Sequence, residues 1–600
     1  MSGPPSRTPA DAEEYFIAAG LDVEPAAGGK SWVFSRGSGS VHLLDDSTSS
    51  LLPYLSRWRT IGGHARELEH AGLGALADGF TSEALRELAR RGVLLPLSDF
   101  IAALRSRPSD GARPGVSVLS WCTHDRPEAL RSSMRSFVSN AIRHGRRPRI
   151  LVCDDSTDPQ VAGANRAVLE REGQGLQASY LGSGEKRILM RSLIAEAPEI
   201  SPAVLEFALF GLPGFPDTTG ANHNALLLAT AGRPVFNTDD DTLCECARLR
   251  DFDPDSWELS SAPDPTGCEL FLSAQELRER VAFKDDADLL SPHEELVGAC
   301  VGDLASAART LRVDAMRPVF VETLLRRAGS VAVVASGICG DCGLADPRFL
   351  LKLSGSSRDR LMASEELYLA AAQNRLVLRA VPRLAVSGST FLQAASVSLD
   401  NTRLLPPFPP VGRNCDGVFA QALRAALPDR FIAHLPFAVR HQPQVERSFA
   451  PGAARRMTFR LSEMVNVLVA TWAARVHAAS GPTALQDVGR FLVEVAALPG
   501  RDFLAFVRRE YLAHLGRYAA ELEEALVQHG EEPSFWAEDV HALLEAINGY
   551  PSRPDFCLPS DLPGAPEMDE ALALCQRVVS RFGHLMTEWP SIMAAAQRQE

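Results

Sequence analysis

The chain of 600 residues carries a formal net charge of -14, with 46% hydrophobic and 23% charged residues. This composition is typical of a folded globular protein, and the length favours several domains over one. The negative charge argues against a nucleic-acid partner, because phosphate binding needs a basic surface.

The sequence also favours a cytoplasmic protein. Its N-terminus, MSGPPSRTPADAEEYF, lacks the basic and apolar regions of a secretory signal. No apolar run reaches the roughly 18 to 20 residues of a membrane helix, so we expect no integral membrane segment. Eleven cysteines, an odd number in a long chain, fit reduced thiols better than disulfides.

The first hundred residues predict a tail and a small domain. Residues 1–25 are expected to form a flexible tail, and the alternation of apolar and polar residues over 31–45 predicts a hairpin. Three helix-like stretches follow, and the last, TSEALRELARRG, ends on a glycine. We interpret residues 26–104 as a winged-helix-like domain. The Pro-, Gly- and Ser-rich stretch 105–115 predicts a linker.

The central region predicts an α/β fold. VSVLSW (116–121) and RILVCD (149–154) are short apolar strands with a helix pattern between them, which is a βαβ unit of a parallel sheet. A second helix, ANHNALLLATA, leads to the strand PVFNT, and SVAVVAS (330–336) is a further strand. From 449 to 600 the pattern is almost wholly helical, which predicts an all-α C-terminal region.

Polar side chains cluster where the predicted parallel strands end. The clusters are Thr123 with Arg126, Asp154 with Asp155, and the triplet Asp239, Asp240 and Asp241. Open parallel sheets bind ligands at this edge, so the clusters predict a nucleotide site. On an extended backbone Asp239 and Asp241 point the same way and Asp240 points oppositely. The outer pair can therefore converge on Mn²⁺ or Mg²⁺.

Three stretches, VLSWCTHDRPEALRSSMRSF, ILVCDDSTDP and GANHNALLLATAGRPVFNTDDD, resemble the successive motifs of GT-A-fold glycosyltransferases, particularly the large family-two group. The resemblance covers roughly residues 114 to 445, and we assign the domain to 116–448. It implies a Rossmann-like catalytic domain that moves a sugar from a nucleotide-sugar donor, of the UDP or GDP type, to an acceptor. The transfer is expected to invert the anomeric centre.

The resemblance also implies roles for individual residues. Asp154 and Asp155 match the acidic pair that contacts the base and ribose, although an Asx-turn that ends the strand is the alternative. Asp239 and Asp241 match the residues that coordinate the metal and diphosphate. The remaining candidate contacts to the nucleotide sugar are Thr123, Arg126, Arg191 and Asn224.

Two residues further along the chain complete the expected site. Asp416 follows a Pro-rich loop where these enzymes often carry an acidic motif, and it would take the proton from the acceptor hydroxyl. The family usually has two acids there, whereas this chain has Cys415, and Asp416 as a helix N-cap is the alternative. His441 is expected as the third metal ligand, with a structural role as the alternative and His434 as a weaker candidate.

The stretch SGICGDCGLADP (336–347) allows two interpretations. Its cysteines, with two that follow the Asp triplet, could form a zinc site of Cys244, Cys246, Cys339 and Cys342. Alternatively, a glycine-rich loop of Gly337, Gly340 and Gly343 would let the backbone approach a sugar.

The N-terminal domain is similar to PqqD-like domains, which recognise peptides during ribosomal peptide modification. In that group a precursor's leader segment adds a strand to the small sheet. The resemblance implies a precursor peptide as acceptor, while a domain that only packs against the catalytic part is the rival interpretation. A cell-envelope saccharide as acceptor, an inactive peptide-binding scaffold and a nucleotidyltransferase are the other hypotheses. The helical C-terminal region would cover the acceptor cleft, form a homo-oligomer or touch a membrane surface.

Overall fold

The computed structural model of the protein describes residues 14–36, 39–73, 80–106, 113–173, 175–327, 329–353, 355–475, 480–564 and 567–599. Among them, no helix combines the length and the apolar character that a membrane crossing requires. All eleven cysteines lie in these ranges and carry free thiols.

The N-terminal part contains two small sheets and a set of helices. Its strands are β1 (Tyr15–Ile17), β2 (Leu21–Ala26), β3 (Lys30–Ser35), β4 (Val41–Asp45), β5 (Arg59–Thr60) and β6 (Leu95–Pro96). Its helices are α1 (Asp46–Ser49), α2 (Ile61–His70), α3 (Phe80–Arg90) and α4 (Leu97–Arg105), with a 3₁₀ turn at Leu52–Leu55. β2, β3 and β4 form an antiparallel sheet, and β1 lies between β5 and β6.

The predicted hairpin is confirmed as β3 and β4. The predicted tail is wrong for residues 14–25, because β1 and β2 lie there. β2 pairs with β3 over its whole length, which satisfies the backbone groups on that edge. Residues 1–13 of the tail and 107–112 of the predicted linker lie outside the described residues. The first predicted helix is broken into α1 and the 3₁₀ turn, where Pro53 lacks the N–H of a helix interior.

The central part begins with strands and helices in alternation. Its strands are β7 (Val118–Thr123), β8 (Arg149–Asp154), β9 (Ala178–Leu181), β10 (Pro234–Asp239), β11 (Thr242–Ala247), β12 (Ser256–Ser260), β13 (Gly267–Leu270), β14 (Thr310–Arg312), β15 (Ser330–Asp341), β16 (Leu376–Ala380), β17 (Leu384–Ser387), β18 (Ser396–Asp400) and β19 (Arg430–His441). Its helices are α5 (Pro127–Arg143), α6 (Pro159–Glu172), α7 (Ser183–Glu196), α8 (Pro202–Phe210), α9 (Thr219–Ala229), α10 (Ala274–Arg280), α11 (Leu290–Leu296), α12 (Val301–Ala307), α13 (Pro318–Arg326), α14 (Gly355–Leu361), α15 (Glu365–Gln373) and α16 (Cys415–Ala426).

Within the described residues these strands build one 13-stranded sheet. Ten of them follow the order β14-β12-β17-β19-β15-β18-β10-β7-β8-β9, while β11 pairs with β19, β13 with β16, and β16 with β15. β9, β8, β7 and β10 are mutually parallel, and β18 runs antiparallel between β10 and β15. The α/β fold class predicted from the sequence is therefore confirmed.

Side chains of the parallel strands alternate between two hydrophobic layers. On β7, Val118 and Cys122 join the layer of α8, α9 and α16, whereas Leu119 and Trp121 join that of α5, α11 and α13. This alternation is the period of two that a strand buried on both faces requires. Helices cover both faces of the sheet, which leaves the ends of its strands as the places where polar side chains can meet.

The predicted glycine-rich loop is wrong over residues 337–341, because these residues belong to β15. A Cβ at Gly337 would collide with the carbonyl oxygen of Arg379 on β16. Gly340 has a φ of +122°, and its Cβ would collide with the carbonyl oxygen of His441 on β19. These two glycines let neighbouring strands approach each other.

The C-terminal part is helical, as the sequence predicts. Its helices are α17 (Leu461–Arg475), α18 (Pro482–Ala496), α19 (Gly500–His529), α20 (Ser534–Gly549) and α21 (Met568–Arg598). α21 is tied to the central part, because the buried Trp589 Nε1 donates to the Leu405 carbonyl at 2.8 Å. The Ser201 backbone N–H, before α8, donates to Glu588 at 2.8 Å.

Candidate functional site

The candidate site lies at the carboxyl ends of β7, β8 and β10. In the order β9-β8-β7-β10, helical connections leave β7 toward β8 on one side, and β10 is added on the other side. A crevice forms at such a reversal of strand order, and ligands of open α/β sheets bind there. Thr123, Asp154 and Asp239 are the last residues of the three strands. The sequence-predicted clusters therefore do meet at one edge.

Both carboxylate oxygens of Asp154, at the end of β8, accept hydrogen bonds from other residues of the protein. Its Oδ1 accepts hydrogen bonds from the backbone N–H and hydroxyl of Ser156, at 2.8 and 2.6 Å. Its Oδ2 accepts from Asn165 at 2.9 Å and from the Tyr180 hydroxyl at 2.5 Å. The side chain is buried. These contacts match the Asx-turn alternative, and they leave the carboxylate without a free acceptor position for a nucleotide.

Asp155, the next residue, is held differently. Its Oδ1 accepts from Nδ1 of His124 at 3.0 Å, and its Oδ2 accepts from the Thr218 hydroxyl. Burial opposes the charged form, but the hydrogen bond from His124 and the positive charge of Lys186 bring the pKa of Asp155 below its usual value. The hydrogen bond to Asp155 raises the pKa of His124 to about 9. Asp155 therefore forms a partly exposed ion pair with His124 at the mouth of the crevice.

Asp240 and Asp241 lie in the turn after β10, so the alternation expected of an extended backbone stops at Asp239. Nη1 of Arg126 donates to the carboxylates of both residues, at 3.2 Å each. Asp240 has a further contact, because its Oδ2 accepts from the Thr123 hydroxyl at 2.7 Å. Burial and the charge of Asp241 raise the pKa of Asp240 to about 6, against the influence of Arg126. Thr123 and Arg126 therefore contact the Asp triplet directly.

Asp239 has no such support. Among the described residues, none donates a hydrogen bond to its half-buried carboxylate, whereas its backbone N–H donates to Ala395. Burial, with the charges of Asp241 and Asp416, raises the pKa of Asp239 well above its usual range. A carboxylate in this situation is stabilised by a cation.

Asp241 pairs with His441. The Nε2 of His441 lies 3.2 Å from Oδ1 of Asp241, while its Nδ1 donates to the Asp341 carbonyl at 2.7 Å. Burial disfavours the imidazolium, but the hydrogen bond to Asp241 raises the pKa of His441 to about 9. The Nδ1 hydrogen bond fixes the orientation of the ring and presents Nε2 to the acidic cluster.

The carbonyl that orients His441 belongs to a rigid ion-pair group. The Asp341 carboxylate accepts two hydrogen bonds from Arg375, at 2.8 and 3.0 Å, and two from Arg447, at 3.1 and 2.8 Å. Such double contacts hold a carboxylate in one geometry. Asp341, Arg375 and Arg447 were not identified from the sequence, because their pairing joins distant parts of the chain.

Asp416 occupies the first turn of α16. Its Oδ2 accepts from the Ala394 backbone N–H at 3.0 Å, and its Oδ1 accepts from the Cys415 thiol at 3.2 Å. The prediction of Asp416 as N-cap is wrong, because the cap is Asn414 with a φ of 65°. The charge of Asp416 raises the pKa of Asp239 and lies near His223. Asp416 therefore belongs to the same acidic environment as the triplet.

Two of the sequence candidates have other contacts. Asn224 is fully buried, its amide donates to Ala208 and Phe408 at 3.2 and 2.9 Å, and its oxygen accepts from Phe408 at 2.8 Å. These bonds attach the Pro-rich loop to α9 and leave nothing for a nucleotide. Arg191 is exposed on α7 and, over the part of the chain that is described, has no contact with the other site residues.

The structure adds a buried lysine that sequence reasoning missed. The Lys186 ammonium, on α7, donates to Asn222 at 2.5 Å, and Asn222 donates to the Thr123 carbonyl at 3.2 Å. Burial lowers the pKa of Lys186, while the charge of Asp155 opposes that change. The sequence feature that could have pointed to Lys186 is the scarcity of lysine, since the chain has only four.

As they stand, the described His, Cys, Asp and Glu side chains contain no group of three or more that could hold a metal ion. Asp241 and His441 contact each other directly. The four cysteines of the zinc alternative do not meet: Cys244 and Cys246 join one hydrophobic cluster, Cys339 a second and Cys342 a third. Thiol ligands of one zinc ion would have to lie together.

Comparison with known proteins adds no assignment. No protein-family model matches the chain. A search among curated proteins finds no significant match.

Proposed function

We propose that the chain is a metal-dependent glycosyltransferase of GT-A fold that moves a sugar from a nucleotide-sugar donor to an acceptor. One observation carries the proposal: Asp239 is a half-buried carboxylate without a hydrogen-bond donor among the described residues, at the point where ligands of parallel sheets bind. Its raised pKa is the mark of a group that lacks its charge partner. A divalent cation with a diphosphate supplies that partner.

The donor set suits a hard divalent ion. Asp239, Asp241 and His441 would hold Mn²⁺ or Mg²⁺, since carboxylate and imidazole ligands suit such ions. The Nδ1 bond of His441 to the Asp341 carbonyl is the outer contact that metal-bound histidines need. The bound ion would neutralise negative charge that develops on the leaving diphosphate.

The nucleoside part would bind at the end of β8. Asp155 has its carboxylate at the mouth of the crevice, with His124 and Thr218 as neighbours. A carboxylate there accepts hydrogen bonds from a ribose hydroxyl or a base N–H. Asp154 supports this position by fixing the turn that carries Asp155.

Asp416 is the proposed general base. Its hydrogen bond from the Ala394 N–H and its place in the first turn of α16 hold the carboxylate in position. The charged form takes the proton of the acceptor hydroxyl as the oxygen attacks the anomeric carbon of the donor. The bond between that carbon and the diphosphate oxygen then breaks.

The experiment combines a metal ion with a panel of UDP- and GDP-sugars. With Mn²⁺ or Mg²⁺ we expect thermal stabilisation and slow donor hydrolysis, and we expect both to be lost in Asp239→Ala and Asp241→Ala. Asp255→Ala, which removes an exposed acid paired with Arg309, is the control and should respond like the wild type. Asp416→Asn should keep the stabilisation by donor and metal. If no sugar nucleotide binds with either metal, the proposal is abandoned.

A second candidate function, peptide binding, is favoured by the outer face of the β2-β3-β4 sheet. Trp32 and Phe34 on β3 are 49% and 40% exposed, and they lie directly opposite Leu43 and Val41 on β4. Four exposed apolar side chains on one sheet face form an unusual surface for a protein without a partner. This face would recruit a peptide acceptor to the enzyme, or serve alone in an inactive scaffold.

Selection from a random-peptide library on the full chain tests the second candidate. Peptides enriched on the wild type should be lost on a Trp32→Ser/Phe34→Ser variant. Tyr54→Ser, at another exposed aromatic residue of the same region, is the matched control and should retain them. Equal enrichment on all three proteins would rule out peptide binding at this face and would leave the proposed glycosyltransferase function unaffected.

A further inference from the structure

A groove with a volume of ≈ 740 Å³ runs along one side of α2. Within α2, Gly63, Arg66 and His70 line the groove at intervals of three and four positions, and Arg59 of β5 lines it just before the helix. Such spacing places the three helical residues on one helix face, over a length of about 10 Å. The other walls are the segment Pro53 to Arg57 and, from the central part, Arg317. None of these residues belongs to the acidic site.

The groove is strongly basic. Four arginines line it, and one of them, Arg59, forms an ion pair with Glu67. Within the described ranges, Arg57, Arg66 and Arg317 have exposed side chains and no ion pair. Glu67 is the one carboxylate of the described lining. The acid whose charge acts on Arg317 is Glu524 on α19.

Of the three guanidinium groups without an ion pair, those of Arg57 and Arg317 lie close enough for their charges to repel each other. Partial burial and the charge of Arg57 lower the pKa of Arg317, against the influence of Glu524. The chain as a whole has a net charge of -14, so a local excess of positive charge is not a consequence of composition. An anion bound between the arginines would remove the repulsion.

We propose that this groove binds a small, multiply charged phosphate compound. Its volume lies in the range of small-molecule sites, and the planar fork of a guanidinium matches two phosphate oxygens. Tyr54, which is 48% exposed, and Pro53 form an apolar wall next to the arginines. A ring attached to the phosphates can pack on that wall. The class therefore includes inorganic polyphosphates and nucleoside phosphates.

Calorimetry with tripolyphosphate and ATP in the presence of EDTA tests the proposal. EDTA silences the acidic site, because without a divalent ion three carboxylates repel a phosphate. We expect binding that weakens as salt is raised. In Arg57→Ala/Arg66→Ala the affinity should fall at least about tenfold, and Arg317→Ala should weaken it as well.

A matched control removes the same charge from the same region. In Arg86→Ala/Arg90→Ala, two exposed arginines of α3 that pair with Glu83 are lost, and the affinity should stay within about twofold of the wild type. Thermal unfolding of each variant checks that it is folded. Tighter binding of ATP than of tripolyphosphate would assign a contact to Tyr54, and equal binding would assign recognition to the phosphates; both agree with the proposal.

Three results would overturn it. The first is no heat from either compound on the wild type. The second is equal binding by the wild type and the Arg57→Ala/Arg66→Ala variant. The third is tighter binding of a glutamate-rich peptide than of both phosphate compounds, which would make the groove a docking surface for acidic peptides. None of these results bears on donor binding at the acidic site, which is measured separately with metal ions present.

Discussion

Two parallel strands on either side of β7 end in carboxylates that the protein treats in opposite ways. Asp154, after β8, accepts four hydrogen bonds at 2.5 to 2.9 Å and is buried. Asp239, after β10, accepts none from the described residues and is surrounded by other acids. The sequence places both residues in acidic runs of similar appearance. The number of donors, which only the fold supplies, separates a carboxylate that stabilises the protein from one that is available to a ligand.

The largest expected change in the free energy of unfolding comes from replacing Asp154, the carboxylate that stabilises the protein. Asp154→Ala should lower the free energy of unfolding by about 3 kcal/mol, because the Ser156 N–H and the Asn165 and Tyr180 side chains lose the acceptor of their shortest hydrogen bonds. Urea-induced unfolding measures the loss. A change below about 0.5 kcal/mol would mean that water replaces the carboxylate, and the contrast with Asp239 would disappear.

Replacement of Asp239 is expected to change the free energy of unfolding by a smaller amount and in the opposite direction. In metal-free buffer Asp239→Asn should raise the free energy of unfolding by about 1 kcal/mol, because it removes a charge that burial and two acids disfavour. The same urea experiment, with EDTA present, measures it. Destabilisation would show that the carboxylate has a favourable partner within the protein.

The smallest effect concerns Asp155, the intermediate case between the two. The pKa of His124 is raised to about 9, so the ion pair contributes its full stability below pH 6.5 and loses it as the pH rises through about 9. His124 is half exposed, so solvent keeps this contribution small. Asp155→Asn should return the pKa of His124 towards 6.5. NMR titration of the histidine ring protons measures both values, and an unchanged pKa in the variant would exclude the pair.

The local pattern of the sequence predicted the central elements well. The strands RILVCD and PVFNT, the hairpin of β3 and β4, and the C-terminal helices all follow from a period of two or 3.6 and from their flanking residues. These features depend on neighbours in the chain, so they can be derived from it.

Features that depend on distant residues could not be derived. Asn224 lies where a nucleotide contact was expected, but its partners come from a loop some 184 positions later. The sequence alone predicts a tail where β2 lies, since a polar segment such as LDVEPA forms a strand only when β3 pairs with it. The ion-pair group of Asp341 joins the end of β15 to Arg375, which precedes β16, and to Arg447, which follows β19. The parts of the site that depend on contacts between residues far apart in the chain therefore could not be predicted from the sequence.

The contact between Trp589 and the Leu405 carbonyl has a consequence for the order in which the protein is made. Leu405 begins the Pro-rich loop that Asn224 holds and that leads to Asp416. Synthesis proceeds from the N-terminus at a few residues each second, and earlier parts fold while later ones are still being added. The strands that end in Asp154 and Asp239 leave the ribosome long before α21. The loop before Asp416 gains its last support only when the final helix arrives, so a nascent chain would have its acidic cluster before it has a fully supported base.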